Sequence, residues 1–166
     1  ALANHFRFLR KSLFWFEDGR KSYAMEDHSP VFLYERGEHT FYGFPSLNDR
    51  GVKIGDHSGG RKMRSPKRLK RGIDRKELDE SRRFLQEHLP ELGTRLTHHT
   101  TCMYTMSPDG HFLVGRYPDS ERVHLAAGLS GHGFKFASVL GEVLADLTID
   151  GETRHPIDFL NPSRLD

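Results

Sequence analysis

Apolar and polar positions alternate along much of the chain and switch to helical spacing in two places. Ser12-Leu13-Phe14-Trp15-Phe16 reads as a strand, followed by a turn at Asp18-Gly19. Pro30 to Glu35 reads as a second strand, turned by Arg36-Gly37-Glu38, with His39 to Pro45 as its hairpin partner. Gly51-Val52-Lys53-Ile54-Gly55-Asp56-His57 alternates again. In a strand, Lys53, Gly55 and His57 share one face, and Val52, Ile54 and Asp56 the other. Asp74 with Glu77 three residues on has the spacing of a capping box. It predicts a helix to about His88, with Leu78, Phe84, Leu85 and Leu89 inward and Pro90 and Gly93 ending it. Arg95 to Met106 is a long strand on which Cys102 and Tyr104 share a face. After a turn at Ser107-Pro108-Asp109-Gly110 come strands at His111 to Gly115 and Val123 to Gly128, then helical spacing from Phe136 to Leu147. The tail, Arg154 to Asp166, is expected to cap the fold.

The last strand and the last helix are joined by Gly128-Leu129-Ser130-Gly131-His132-Gly133-Phe134-Lys135. Three glycines let the backbone approach something flat or anionic, and the free N–H groups and positive dipole end of the helix face that object. The alternative is a tight connection whose glycines relieve crowding; His132 and Lys135 favour a ligand. Lys53 and His57 are either a site pair or part of a solvated edge strand. The basic run Arg61 to Arg71 lacks interleaved aromatics and reads as a solvated loop, not a phosphate grip.

Composition narrows this further. The chain has 166 residues, enough for one domain with a real core, and a net charge of only +2, so no overall field argues for nucleic acid. The single cysteine, Cys102, excludes an internal disulfide. No apolar run is long enough to span a membrane, and no internal repeat or metal site is expected. The first residues, Ala1-Leu2-Ala3-Asn4-His5, break their apolar run at once, so no signal peptide is read and a cytoplasmic location is expected. A first residue other than Met is the mark expected of a trimmed or partial chain. Ser163-Arg164-Leu165 is not terminal and is discounted as a targeting signal.

Four stretches, in order, carry a resemblance: Tyr42-Gly43-Phe44-Pro45-Ser46, Gly51 to His57, Thr101-Cys102-Met103-Tyr104-Thr105, and Ser130-Gly131-His132-Gly133-Phe134-Lys135-Phe136. The chain resembles, from about Arg10 to its end, the C-terminal half of the monomeric sarcosine oxidase and N-methyltryptophan oxidase family. These are flavin amine oxidases with a D-amino-acid-oxidase type of fold. The resemblance implies an α+β chain: a mixed, largely antiparallel sheet with flanking helices, then the strand-turn-helix of an FAD domain. Residues 1–105 would belong to the substrate domain and 106–166 to the FAD domain. Cys102 falls where the family carries a thioether to the 8α carbon of FAD, and Lys53 where a lysine helps the reduced flavin meet oxygen. His57, Tyr42, Tyr104 and Lys135 fall at substrate-pocket positions. Gly128, Ser130, Gly131, His132, Gly133, Phe134 and Lys135 fall beneath the flavin ring.

The residue types suit these roles. A thiolate is the nucleophile suited to a flavin methyl site. A fixed cation stabilises the charge formed as oxygen takes its first electron, and a lysine offers a point charge to a carboxylate. The complete enzyme would move a hydride equivalent from the carbon beside nitrogen to flavin; oxygen would then yield hydrogen peroxide, and water would hydrolyse the imine. The alternative is a non-catalytic remnant or binding module on the same fold. No Gly-x-Gly-x-x-Gly follows an early strand, so the ADP-binding half is expected to lie outside this sequence. The expected partners are a small amino acid, oxygen and that missing half. Whether this piece holds flavin is open, and surface meant for the absent half is expected to be exposed.

Overall fold

The structure is a computed structural model and describes residues 2–165. Strand β1 (Arg7–Phe16) shows why the first half folds as it does. Phe14 and Phe16 are buried on one face, while Leu13 and Trp15 stay half-buried on the other. Its second half pairs antiparallel with β4 (Val52–Asp56), with Phe14 opposite Ile54 and Phe16 opposite Val52. β2 (Phe32–Arg36) and β3 (His39–Phe44) form the expected hairpin, and β3 pairs with β4. The sheet order is β2-β3-β4-β1-β5, where β5 is Arg61–Met63, and β6 (Leu96–Met106) also pairs with β1.

Helix α1 (Arg75–His88) covers one face of this sheet. Asp74 caps it by accepting from the backbone N–H groups of Lys76 and Glu77, at 3.1 and 3.4 Å. Leu78, Phe84, Leu85 and Leu89 pack with Phe14, Phe16, Phe41, Val52 and Ile54, as the helical spacing predicts. Phe84 stacks on Phe41 with ring centroids 4.4 Å apart. Glu77 does not complete a capping box. Its carboxylate takes a hydrogen bond from buried Arg10 at 3.0 Å instead. Arg10 also donates to the carbonyls of Lys70 and Gly72. The basic run is therefore partly ordered: it forms β5 and a 3-10 turn at Pro66–Arg68.

Two compact units emerge. One comprises Arg10–Arg61 and Lys67–Met103; the other comprises the residues up to Leu9, Lys62–Pro66 and those from Tyr104 onward. In the second unit, β7 (Leu113–Arg116) and β8 (His124–Ala127) form an antiparallel pair. Helix α2 (Ala137–Ile149) packs Leu140 and Val143 against Phe112 and Val114. The tail adds Ile157 and Leu160 to this core and buries Pro162. Among the described residues, no helix is long and apolar enough to cross a membrane.

Candidate functional site

The face of the sheet opposite α1 carries the predicted residues of the first unit. Lys53 lies opposite Trp15 on β1 and Phe44 on β3. Its Nζ sits 5.6 Å from the Trp15 ring centroid and 5.0 Å from that of Phe44, a cation between two aromatic faces. Tyr42 lies opposite Gly55. A Cβ on Gly55 would come within 2.9 Å of the Tyr42 hydroxyl and of Leu13, so only glycine lets the Tyr42 ring lie across β4. His57 follows the last residue of β4, and its backbone N–H donates to the Thr40 carbonyl at 2.8 Å. That bond carries the alternation one residue further, onto the face of Lys53 and Gly55.

Strand β6 brings in the thiol. His98 meets the Trp15 ring edge-on at 5.0 Å, which puts Thr100 and Cys102 on the same face by alternation. Cys102 is half-buried. Burial pushes its thiol above the ordinary value, while the charges of Lys11 and then Lys53 pull it down. Lys11 is buried and donates to the Ser58 carbonyl at 2.5 Å; burial in turn lowers its own pKa. Neither Lys11 nor the flanking Trp15 and Phe44 was singled out from sequence. A charged pair, Arg10-Lys11, beginning an apolar strand was the available signal. A polar cavity of 450 Å³ lies on the α1 side, lined by Lys11, His39, Asp56, Arg61, Asp74 and Glu77. It contains none of the residues predicted for the site.

The second unit holds Tyr104 and the glycine-rich turn. A Cβ on Gly131 (φ +83°) would lie 2.3 Å from the Tyr104 ring, and one on Gly133 would lie 2.5 Å from Leu129. These glycines therefore make close approaches within the protein itself. Ser130 stitches the turn down. Its Oγ accepts from the Ser107 N–H and contacts the Gly128 carbonyl at 3.0 Å, and its own N–H donates to the Thr105 carbonyl. His132 stacks loosely on Phe112, with centroids 4.8 Å apart. His132 and Lys135 line one apolar groove of 380 Å³ along α2. The 3-10 turn Phe134–Phe136 and α2 both begin without a side-chain cap, and Phe134 is 95% exposed.

In the first unit, an aromatic-held cation and a half-buried thiol have the chemistry that suits the ring end of a flavin. Nothing in the sequence supplies the pyrophosphate end, which a Gly-x-Gly-x-x-Gly turn would hold.

The chain belongs to the FAD-dependent oxidoreductase family, which matches residues 5–147. It is 39% identical over 157 residues to monomeric sarcosine oxidase from Bacillus sp. (strain NS-129), covering 93% of this chain and 40% of that protein. It is 41% identical over 161 residues to N-methyl-L-tryptophan oxidase from Salmonella typhi, covering 95% and 41%. Among solved structures, fructosamine oxidase from Aspergillus fumigatus superposes with a TM-score of 0.77 at 20% identity, over 97% of this chain and 39% of the other; this likeness shows the fold. The chain thus spans about two fifths of the length of the curated relatives it matches.

Proposed function

We propose that the protein containing this chain is an FAD-dependent oxidase of N-methyl or other secondary amino acids. In it, residues up to about 105 serve the substrate side and those from 106 complete the FAD side. The observation that carries this reading is one sheet face holding Cys102, Lys53, Tyr42 and His57 together, in a chain whose curated relatives are amine oxidases. FAD, when bound, supplies the electron acceptor. Cys102 would be the residue that holds it, through its sulfur. Burial keeps the Cys102 sulfur protonated at rest, and the flanking lysines ease its conversion to thiolate. Lys53, fixed between Trp15 and Phe44, offers a positive charge where oxygen is reduced. Exposed Lys135 pairs with the substrate carboxylate. Tyr42 and His57 serve the substrate side on the first unit, and Tyr104 serves it on the second.

The test is to precipitate the complete protein in acid and look for yellow colour on the polypeptide. Wild type is expected to keep its colour and Cys102→Ser to lose it. Colour that washes off the wild type, or that survives in Cys102→Ser, would remove Cys102 from the site.

A further inference from the structure

We propose that Glu142, Asp146 and His155 form a zinc-binding site in the second unit, independent of the flavin chemistry. Glu142 and Asp146 are one turn apart on α2 and project from the same side. After the helix the chain reverses at Gly151 (φ +81°) and brings His155 back to them. One potential ligand atom from each of the three residues lies within 4.8 Å of the other two. The Nε2 atom of His155 is sealed from solvent, lacks a hydrogen bond of good geometry, and lies 3.2 Å from Oε1 of Glu142. Zinc bonds of about 2.0–2.2 Å in a tetrahedron set ligand atoms roughly 3.3–3.6 Å apart. The histidine–glutamate pair therefore already spans about one tetrahedron edge, and the Asp146 edges close with a shift of roughly 1 Å, within the reach of side-chain rotation.

The surroundings fit an ion. Thr153 Oγ1 donates to Asp146 Oδ2 at 2.7 Å, the kind of outer hydrogen bond that orients a ligating carboxylate. Arg154 Nη2 lies 2.8 Å from the Glu142 oxygen that faces His155, on a side chain 80% exposed. It is the cation that zinc would displace into solvent. A mixed set of one imidazole and two carboxylates favours zinc over magnesium or calcium, which prefer oxygen alone. Three protein ligands leave a fourth position for water. An ion here would pin the tail to α2 just before Ile157 and Leu160 enter the core.

The test is calorimetric titration of the untagged 166-residue chain, stripped of metal, with zinc chloride and, separately, magnesium chloride. The expected result is one zinc per chain, no comparable magnesium binding, and affinity about tenfold or more weaker in Asp146→Asn and His155→Gln. Cobalt should give tetrahedral absorption bands that His155→Gln abolishes. Arg154→Ala removes no ligand and should tighten zinc binding several-fold, which keeps the test sound if a ligand variant misfolds. The chain has eleven histidines, so adventitious binding is the competing explanation. Zinc affinity unchanged in Asp146→Asn and His155→Gln, unchanged affinity in Arg154→Ala, or no zinc bound by wild type would each overturn the site.

Discussion

Lys53 shows how a single side chain is positioned by its neighbours. Sequence alternation puts it on a face; the Trp15 and Phe44 rings hold its ammonium in place. In the role proposed for Lys53, substrate oxidation needs no cation at this position, but reduction of oxygen creates an anion. In the complete protein, Lys53→Met is expected to be reduced by substrate anaerobically at a near-normal rate and then to reoxidise in air slower by about two to three powers of ten. Stopped-flow measurement of the two half-reactions separates them, and reoxidation at the wild-type rate would make Lys53 a packing residue. His57 lies one step further along the same face. Its alignment depends on a backbone bond to Thr40 that no local pattern announces.

At the scale of elements, a buried arginine and a bidentate one tie segments together. Arg10 is 4% exposed and ties Glu77 of α1 and the carbonyls of Lys70 and Gly72 to β1. Arg10→Met keeps the length and leaves those acceptors without their donor. A loss of about 3 kcal/mol is expected in urea unfolding, and a change under about 1 kcal/mol would show that water replaces the guanidinium without penalty. Arg164 grips Asp109 through two nitrogens, at 2.9 and 3.2 Å, joining the tail to the turn before β7. This pair holds the Asp109 carboxyl well below the usual carboxylate range. A depressed folded-state pKa contributes stability that is present above the unfolded value, about 3.9, and is lost as pH falls below it. With a side chain 38% exposed, the screened effect is about 1 kcal/mol. Asp109→Asn should therefore lower Tm by roughly 2–4 °C at pH 7, with the gap closing below about pH 4. A gap independent of pH would assign the effect to shape rather than charge.

At the scale of the whole molecule, the chain belongs to the FAD-dependent oxidoreductase family and spans about 40% of the length of its oxidase relatives. Several large apolar side chains face solvent, among them Phe134 on the glycine-rich turn and Ile149 at the end of α2. Single exposed apolar residues are ordinary, but Phe134 lies in the stretch read as a cofactor contact. The isolated chain, supplied with FAD and sarcosine, is expected to release no peroxide above background. Turnover near that of the complete protein would show that the ADP-binding half is dispensable and would overturn the reading of this chain as part of a catalyst.

Local physics made much of this legible in the sequence. A short apolar run marked β1, a hairpin turn marked β2 and β3, and period-two alternation marked β4 and the Cys102–Tyr104 face of β6; an Asp cap with helical spacing named the inward residues of α1, because all these signals depend on residues a few positions apart. The order of four motifs carried the family. Tertiary structure decided what those residues touch. Register set Lys53 between Trp15 and Phe44 and laid Tyr42 over Gly55; Tyr104 gave Gly131 a packing reason the sequence left open. Arg10 drew the basic run into order through backbone carbonyls that carry no residue identity. His155 met Glu142 only because the chain reverses after α2, and such long-range pairings leave no periodic trace in the sequence.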